Sequence, residues 1–201
     1  MRILYGVQTT GHGHLVRSTP IIRELRSRGH AVDVLLSGPP PDPLWLDRIG
    51  RPLAIHPGLT FSAAGGRIRY LRTVREARPL RFLADTLRCR PRDHDLVVSD
   101  YEPITAWAAR LAGVRSVGIG HLYAFAWNGV PRARGNVITR LVMGQFAPVA
   151  VPVGYHWAPF GAPLVPPGVA PEARAVVRGE PDPGFVLVYL GFESLERILP
   201  L

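Results

Sequence analysis

An apolar run, Arg2 to Val7, leads into a glycine-containing turn, Gln8 to Gly13. A helical pattern follows, then a second apolar run, Ala31 to Leu36. In the helical pattern Leu15, Ile21, Ile22 and Leu25 are apolar and Arg17, Arg23, Glu24, Arg26 and Arg28 polar. Pro20 is expected in its first turn, and Gly29 stops it. Strand, turn, helix, glycine and strand make a βαβ unit. Such a unit implies a parallel sheet, because its two strands run the same way through a right-handed crossover. The strands are apolar throughout rather than alternating, as expected where helices cover both faces.

The same rhythm recurs. Asp95 to Ser99 reads as a strand and Pro103 to Ala112 as a helix closed by Gly113. Arg115 to Ile119 is a further strand, Asn136 to Phe146 a helix, and Val149 to Val153 another strand. The expected fold class is therefore α/β, a Rossmann-like doubly wound parallel sheet. Ser37 to Pro43 is a proline-rich loop after the second strand. Residues 155–184 contain seven prolines and no clean periodicity, which reads as a linker after a domain spanning 1–154. Phe185 to Leu190 is a fresh strand, and Ser194 to Leu199 opens a helix. One strand and half a helix do not form a domain, so residues 185–201 are expected to be the opening of a truncated second one.

Composition narrows the chemistry. All 24 basic residues are arginine, against 15 acidic residues, for a net charge of +9. The absence of lysine excludes a P-loop lysine, a Schiff-base lysine and a kinase-type strand lysine. Arginine stays protonated, so acid–base work falls to His, Asp, Glu, Tyr or Cys. The single cysteine, Cys89, excludes an internal disulfide framework and a multi-cysteine zinc site. Neither a signal-peptide core nor an apolar run of membrane-spanning length is present, so a cytoplasmic protein is expected.

The turn Thr9-Thr10-Gly11-His12-Gly13-His14-Leu15 falls where doubly wound sheets bind ligands, at the carboxyl end of the first strand. Gly11 and Gly13 allow close approach to the backbone, and the helix start favours anionic groups. A dinucleotide site is disfavoured: Val16 stands at the third glycine position, and the second strand ends at Ser37 without a ribose-binding acid. His14 at the helix start is a candidate base, since imidazole takes a proton near neutral pH. A base needs an orienting carboxylate, and Asp100 follows the strand Asp95 to Ser99 at the same sheet edge. The alternative is that His14 packs the helix start while Asp100 caps the helix from Pro103.

The segments TTGHGH, RELRSRGHAVDV, DLVVSDYEPITAWAARLAGVRSVGIGH and FVLVYLGFE together resemble the GT-B glycosyltransferases, nearest to the MurG-like and family-28-like group. The resemblance covers the N-terminal, acceptor-binding half. It implies two Rossmann-like domains facing a cleft, with a nucleotide-sugar donor held by the second domain. It also implies an inverting transfer in which His14 deprotonates an acceptor hydroxyl and Asp100 orients His14, with His12 the competing candidate for the base. Gly11, His12, Gly13, Glu102, His121 and Tyr123 are then candidates to line the acceptor site for a sugar, lipid or polyol. No covalently bound cofactor, no metal and no nucleic acid are expected. The fragment alone is expected to be inactive. The competing reading is a non-catalytic Rossmann-like subunit that recruits a catalytic partner.

Basicity is concentrated. Between Arg67 and Arg92 stand nine arginines and two acids, Glu76 and Asp85, a local balance of +7. Leu71, Val74, Leu80, Phe82, Leu83 and Leu87 supply an apolar side. A basic amphipathic helix pair of this kind suits an anionic membrane surface, a phosphate ligand or a simply solvated face.

Overall fold

The computed structural model describes residues 1–59, 63–64, 67–68, 78–132, 143–170, 172 and 174. Six parallel strands form one sheet: β1 (Arg2–Gln8), β2 (Ala31–Ser37), β3 (Ala54–His56), β6 (Leu96–Asp100), β7 (Ser116–Gly120) and β8 (Val151–Gly154). Their order is β3-β2-β1-β6-β7-β8. The direction of winding therefore reverses between β1 and β6, which opens a crevice at their carboxyl ends. A short antiparallel pair, β4 (Ala63–Ala64) and β5 (Arg67–Ile68), stands apart from the sheet.

Alternation along β1 feeds two cores. Ile3, Tyr5 and Val7 pack with Leu15 and Ile22 of α1 (His12–Ser27), with Val32, Val34 and Leu36 of β2, and with Ile49 of α2 (Pro43–Ile49). Leu4 points the other way, toward Val97 and toward Ile104 and Ala109 of α4 (Pro103–Ala112). Gly6 shares that second face. A Cβ there would lie 2.1 Å from Thr105 Oγ1 and 2.6 Å from Glu102 Oε2, so its missing side chain is what lets α4 sit down on the sheet.

Helix α1 begins earlier than the residue pattern suggests. Gly11 takes φ +91°, and the helix starts at His12 with no side-chain cap. Pro20 consequently sits in mid-helix rather than in the first turn. Its missing N–H leaves the carbonyl of Val16 without a helical donor, and Val16 is exposed enough for water to serve instead. The strands from Leu96 and Ser116 run one residue further toward their carboxyl ends than expected, so Asp100 is the last residue of β6.

In the arginine-rich stretch, Arg67 lies in a strand, and one amphipathic helix, α3 (Pro79–Arg88), is present. The remainder of the expected helix pair, at 69–77, lies outside the described residues, as do 136–142 of the helix expected at 136–146; residues 143–145 are helical. From Tyr155 to residue 170 the chain is irregular apart from a parallel bridge between Tyr155 and Val165. The segment 185–201 lies outside the described residues.

Candidate active site

The crevice between β1 and β6 is built from two chain segments. Val7 of β1 pairs in register with Asp100, the final residue of β6. The next residue, Tyr101, holds φ +52°, a left-handed conformation unusual for a bulky side chain. It is anchored there: its hydroxyl donates to the Met143 carbonyl at 3.0 Å, and its ring stacks on Phe146. This turn leaves the Asp100 carboxylate fully buried beneath the start of α1.

Three side chains on one face of α1, at spacings of three and four, converge on that carboxylate. His14 Nδ1 lies 3.0 Å from Oδ1. Arg17 Nε donates to Oδ1 at 2.9 Å and to Oδ2 at 2.8 Å, and Arg17 Nη2 also donates to Oδ1. Ser18 Oγ donates to Oδ2 at 2.7 Å and accepts from Tyr5 at 3.3 Å. The carboxylate is thus satisfied without water, as a buried charge must be. Its field reaches further. Burial first, and the charge of Asp100 second, push the hydroxyls of Tyr5 and Tyr155 above their ordinary range.

Burial pushes the Cys89 thiol up to about 12 and raises Tyr101 and Tyr123. Glu102 is also withdrawn, contrary to its expected place in an acceptor site. It is fully buried and caps α4, accepting from Ile104 N at 2.7 Å, Thr105 N at 2.7 Å and Thr105 Oγ1 at 2.6 Å. It therefore fills the capping role that was the alternative for Asp100.

Tyr123 is likewise core. Its hydroxyl donates to the Ala147 carbonyl at 2.9 Å, and its ring lies over Gly118. His121, the first residue of the short helix α5 (His121–Ala124), is exposed, and its Nδ1 donates to the Tyr155 carbonyl at 3.2 Å. His12 is exposed as well and leans toward Trp45, with ring centroids 6.4 Å apart. Of the two histidines in the turn, His14 is the one that meets Asp100. Gly11 and Gly13 stand open, with nothing within 4 Å of a Cβ built on either.

Arg17 and Ser18 escaped the sequence reading. The signal is present in the spacing: His14, Arg17 and Ser18 share one face of the helix. Among the described residues no group of three or more His, Cys, Asp or Glu is arranged to hold a metal ion.

A family model described as glycosyl transferase family 1 matches residues 1–125. The chain belongs to glycosyl transferase family 1. Among solved structures, this family member is similar to MurG of Acinetobacter baumannii at 14% identity and TM-score 0.41, over 77% of this chain and 40% of that one. It is similar to the glycosyltransferase SsfS6 of Streptomyces sp. SF2575 at 16% identity and TM-score 0.44, over 79% of this chain and 51% of that one. A third, the glycosyltransferase VinC in complex with DTDP, shares 19% identity at TM-score 0.41, over 75% of this chain and 45% of that one. The family member thus spans about half or less of the length of these three chains. No curated protein sequence matches it.

Proposed function

We propose that this chain is the acceptor-binding half of an inverting, nucleotide-sugar-dependent glycosyltransferase, with His14 as the general base and Asp100 as its orienting carboxylate. The observation that carries the reading is the 3.0 Å contact between His14 Nδ1 and a fully buried Asp100 at the point where the sheet reverses its winding. With Nδ1 engaged, ring geometry turns Nε2 away from the carboxylate, and in this reading Nε2 is the nitrogen offered to the crevice. There it takes the proton of an acceptor hydroxyl. The hydroxyl oxygen attacks the anomeric carbon, the bond from that carbon to the diphosphate breaks, and the nucleoside diphosphate leaves with the electron pair. A single displacement of this kind inverts the anomeric centre. Gly11 and Gly13, His12 and the exposed His121 border the approach, and the acceptor is read as a sugar, lipid or polyol.

In this reading residues 1–154 form the acceptor domain, 155–184 the link and 185–201 the first part of a donor-binding domain. The family assignment supports a nucleotide-sugar donor held by that second domain, and no covalent cofactor or metal enters the scheme. In a form that carries the donor half, His14→Ala is expected to lower kcat/KM by about 10²–10⁴-fold, the usual worth of a positioned base. Transfer at the wild-type rate would refute the assignment.

The reading extends to an anionic membrane surface at the cytoplasmic face. On α3, Leu80 is 82% exposed, Leu83 50% and Leu87 67%, with Arg78, Arg81 and Arg88 beside them. A leucine stripe flanked by arginines matches a surface that is apolar within and negative outside. Among the described residues no helix is long and apolar enough to cross a membrane. Co-sedimentation with vesicles rich in phosphatidylglycerol, lost in the triple substitution Leu80→Ser, Leu83→Ser, Leu87→Ser, is the expected result. Equal binding by both proteins would remove this part of the reading.

A further inference from the structure

The nitrogen of His14 that faces Asp100 has a second suitor. Arg17 Nη2 stands 2.6 Å from Nδ1, closer than the 3.0 Å to Asp100 Oδ1. A guanidinium only donates, so that contact is a hydrogen bond only if Nδ1 accepts. A neutral imidazole that accepts at Nδ1 carries its proton on Nε2. The nitrogen turned toward the crevice then has no lone pair to offer. A contact with Asp100 demands the opposite, since a carboxylate only accepts and Nδ1 must donate to it. The two partners therefore select opposite tautomers of the same ring.

The rest of the network shows which partner dispenses with the other. Asp100 already accepts from Arg17 Nε at both oxygens, from Arg17 Nη2 and from Ser18 Oγ, so it does not depend on His14. Nη2 carries two hydrogens in the guanidinium plane. One serves Asp100 and the other meets Nδ1. When Nδ1 accepts, Nε, both hydrogens of Nη2 and the Ser18 hydroxyl are all engaged. When Nδ1 instead donates, two N–H groups face each other across 2.6 Å.

We propose that Arg17 is a positioning residue that sets the tautomer of His14, holding the ring with its proton on Nε2 and idle as a base until Nη2 swings away from Nδ1. This rests on the reading of His14 as the base. The guanidinium is planar, so Nη2 leaves Nδ1 only as the whole group rotates; Asp100 then gives up the Nη2 bond, keeps Ser18 Oγ at 2.7 Å and gains Nδ1 as a donor at 3.0 Å. The rotation has a natural selector. An acceptor hydroxyl donating to Nε2 requires a lone pair there, so acceptor binding and the Nη2–Nδ1 contact exclude one another. The Arg17 side chain is 24% exposed, which leaves it a solvent side toward which to turn.

The test is the tautomer itself. Side-chain 15N spectra of the 201-residue chain at pH 8.5, above the ordinary titration range of imidazole, distinguish protonated from unprotonated ring nitrogens, and His14→Gln assigns the signals. The wild-type chain is expected to show His14 protonated on Nε2. Arg17→Met is expected to reverse this to Nδ1–H, by about tenfold or more in population, since a hydrogen bond to a charged group is worth at least that factor. Arg17→Lys covers the case in which Arg17→Met fails to fold. It keeps a cation for Asp100 but lacks the two-nitrogen fork, and the same reversal is expected. A wild-type His14 protonated on Nδ1, or a tautomer unchanged in a folded Arg17 variant, overturns the proposal. Transfer assays separate the two readings. If His14→Gln abolishes transfer while the Arg17 variants leave the tautomer alone, the base stands and the lock falls. If the tautomer reverses while His14→Gln transfers normally, the lock stands and the base falls.

Discussion

Single residues decide the chemistry of this site by where their hydrogen bonds are spent. Glu102 and Asp100 sit two positions apart, both fully buried, and have opposite fates. Glu102 spends both oxygens on the first turn of α4, whereas Asp100 turns to α1 and meets an imidazole. Gly13 is a residue-scale test of the crevice. It lies in a helix, its Cβ position is open, and glycine in a helix costs about 0.5–1 kcal/mol relative to alanine. Gly13→Ala is therefore expected to raise the free energy of unfolding by up to that amount in urea titration. It would also raise KM for the acceptor, because the new methyl stands where the ligand approaches. His14 and Asp100 were legible from position alone, since each ends or follows a strand of a parallel sheet. Arg17 was not, because an arginine on a helix reads first as a solvated side chain, and nothing local announces that a carboxylate 83 positions away lies beneath it.

Elements show the same division between what a pattern announces and what packing decides. The strands β1, β2, β6 and β7 were legible as short apolar runs bounded by glycine or polar residues. Short β3, with the sequence Ala-Ile-His, and α2, seven residues after a proline-rich loop, carry too little periodicity to be seen and exist because β2 and α1 give them a surface. The start of α1 is hard to read because glycine and histidine are weak helix formers, yet the backbone turns helical at His12. Pro20 in mid-helix makes a clear prediction: Pro20→Ala restores a donor to the Val16 carbonyl and is expected to add roughly 1–3 kcal/mol in urea unfolding. Helix α4 makes another. Glu102→Ala removes the cap and leaves buried N–H groups unpaired, for an expected loss of about 1–3 kcal/mol. Burial holds the Glu102 carboxyl above its ordinary value of 4.5. The native state therefore keeps that proton to higher pH than the unfolded chain does. The stability this group contributes is complete below 4.5 and fades as pH rises through the raised value. Unfolding followed against pH in Glu102→Gln is expected to lack that decline.

At the scale of the whole molecule, the reversal of winding between β1 and β6 does the organising. It places the end of one strand, the start of one helix and two glycines around a single opening, while helices cover both faces of the sheet. The alternation of strands and helices sufficed to infer this architecture, because a parallel sheet with right-handed crossovers leaves few other arrangements. The net charge of +9, by contrast, says little about the crevice, since +7 of it lies between Arg67 and Arg92. If His14 is the base and Asp100 its orienter, the two act as one unit in glycosyl transfer. A double-mutant cycle on kcat/KM measures this directly, with His14→Ala, Asp100→Asn and the pair in a form that carries a donor half. Each single change is expected to cost about 10²-fold or more, and the double variant no more than the worse single one, as for groups that function together. Losses that multiply, or an Asp100→Asn variant as fast as the wild type, would contradict it.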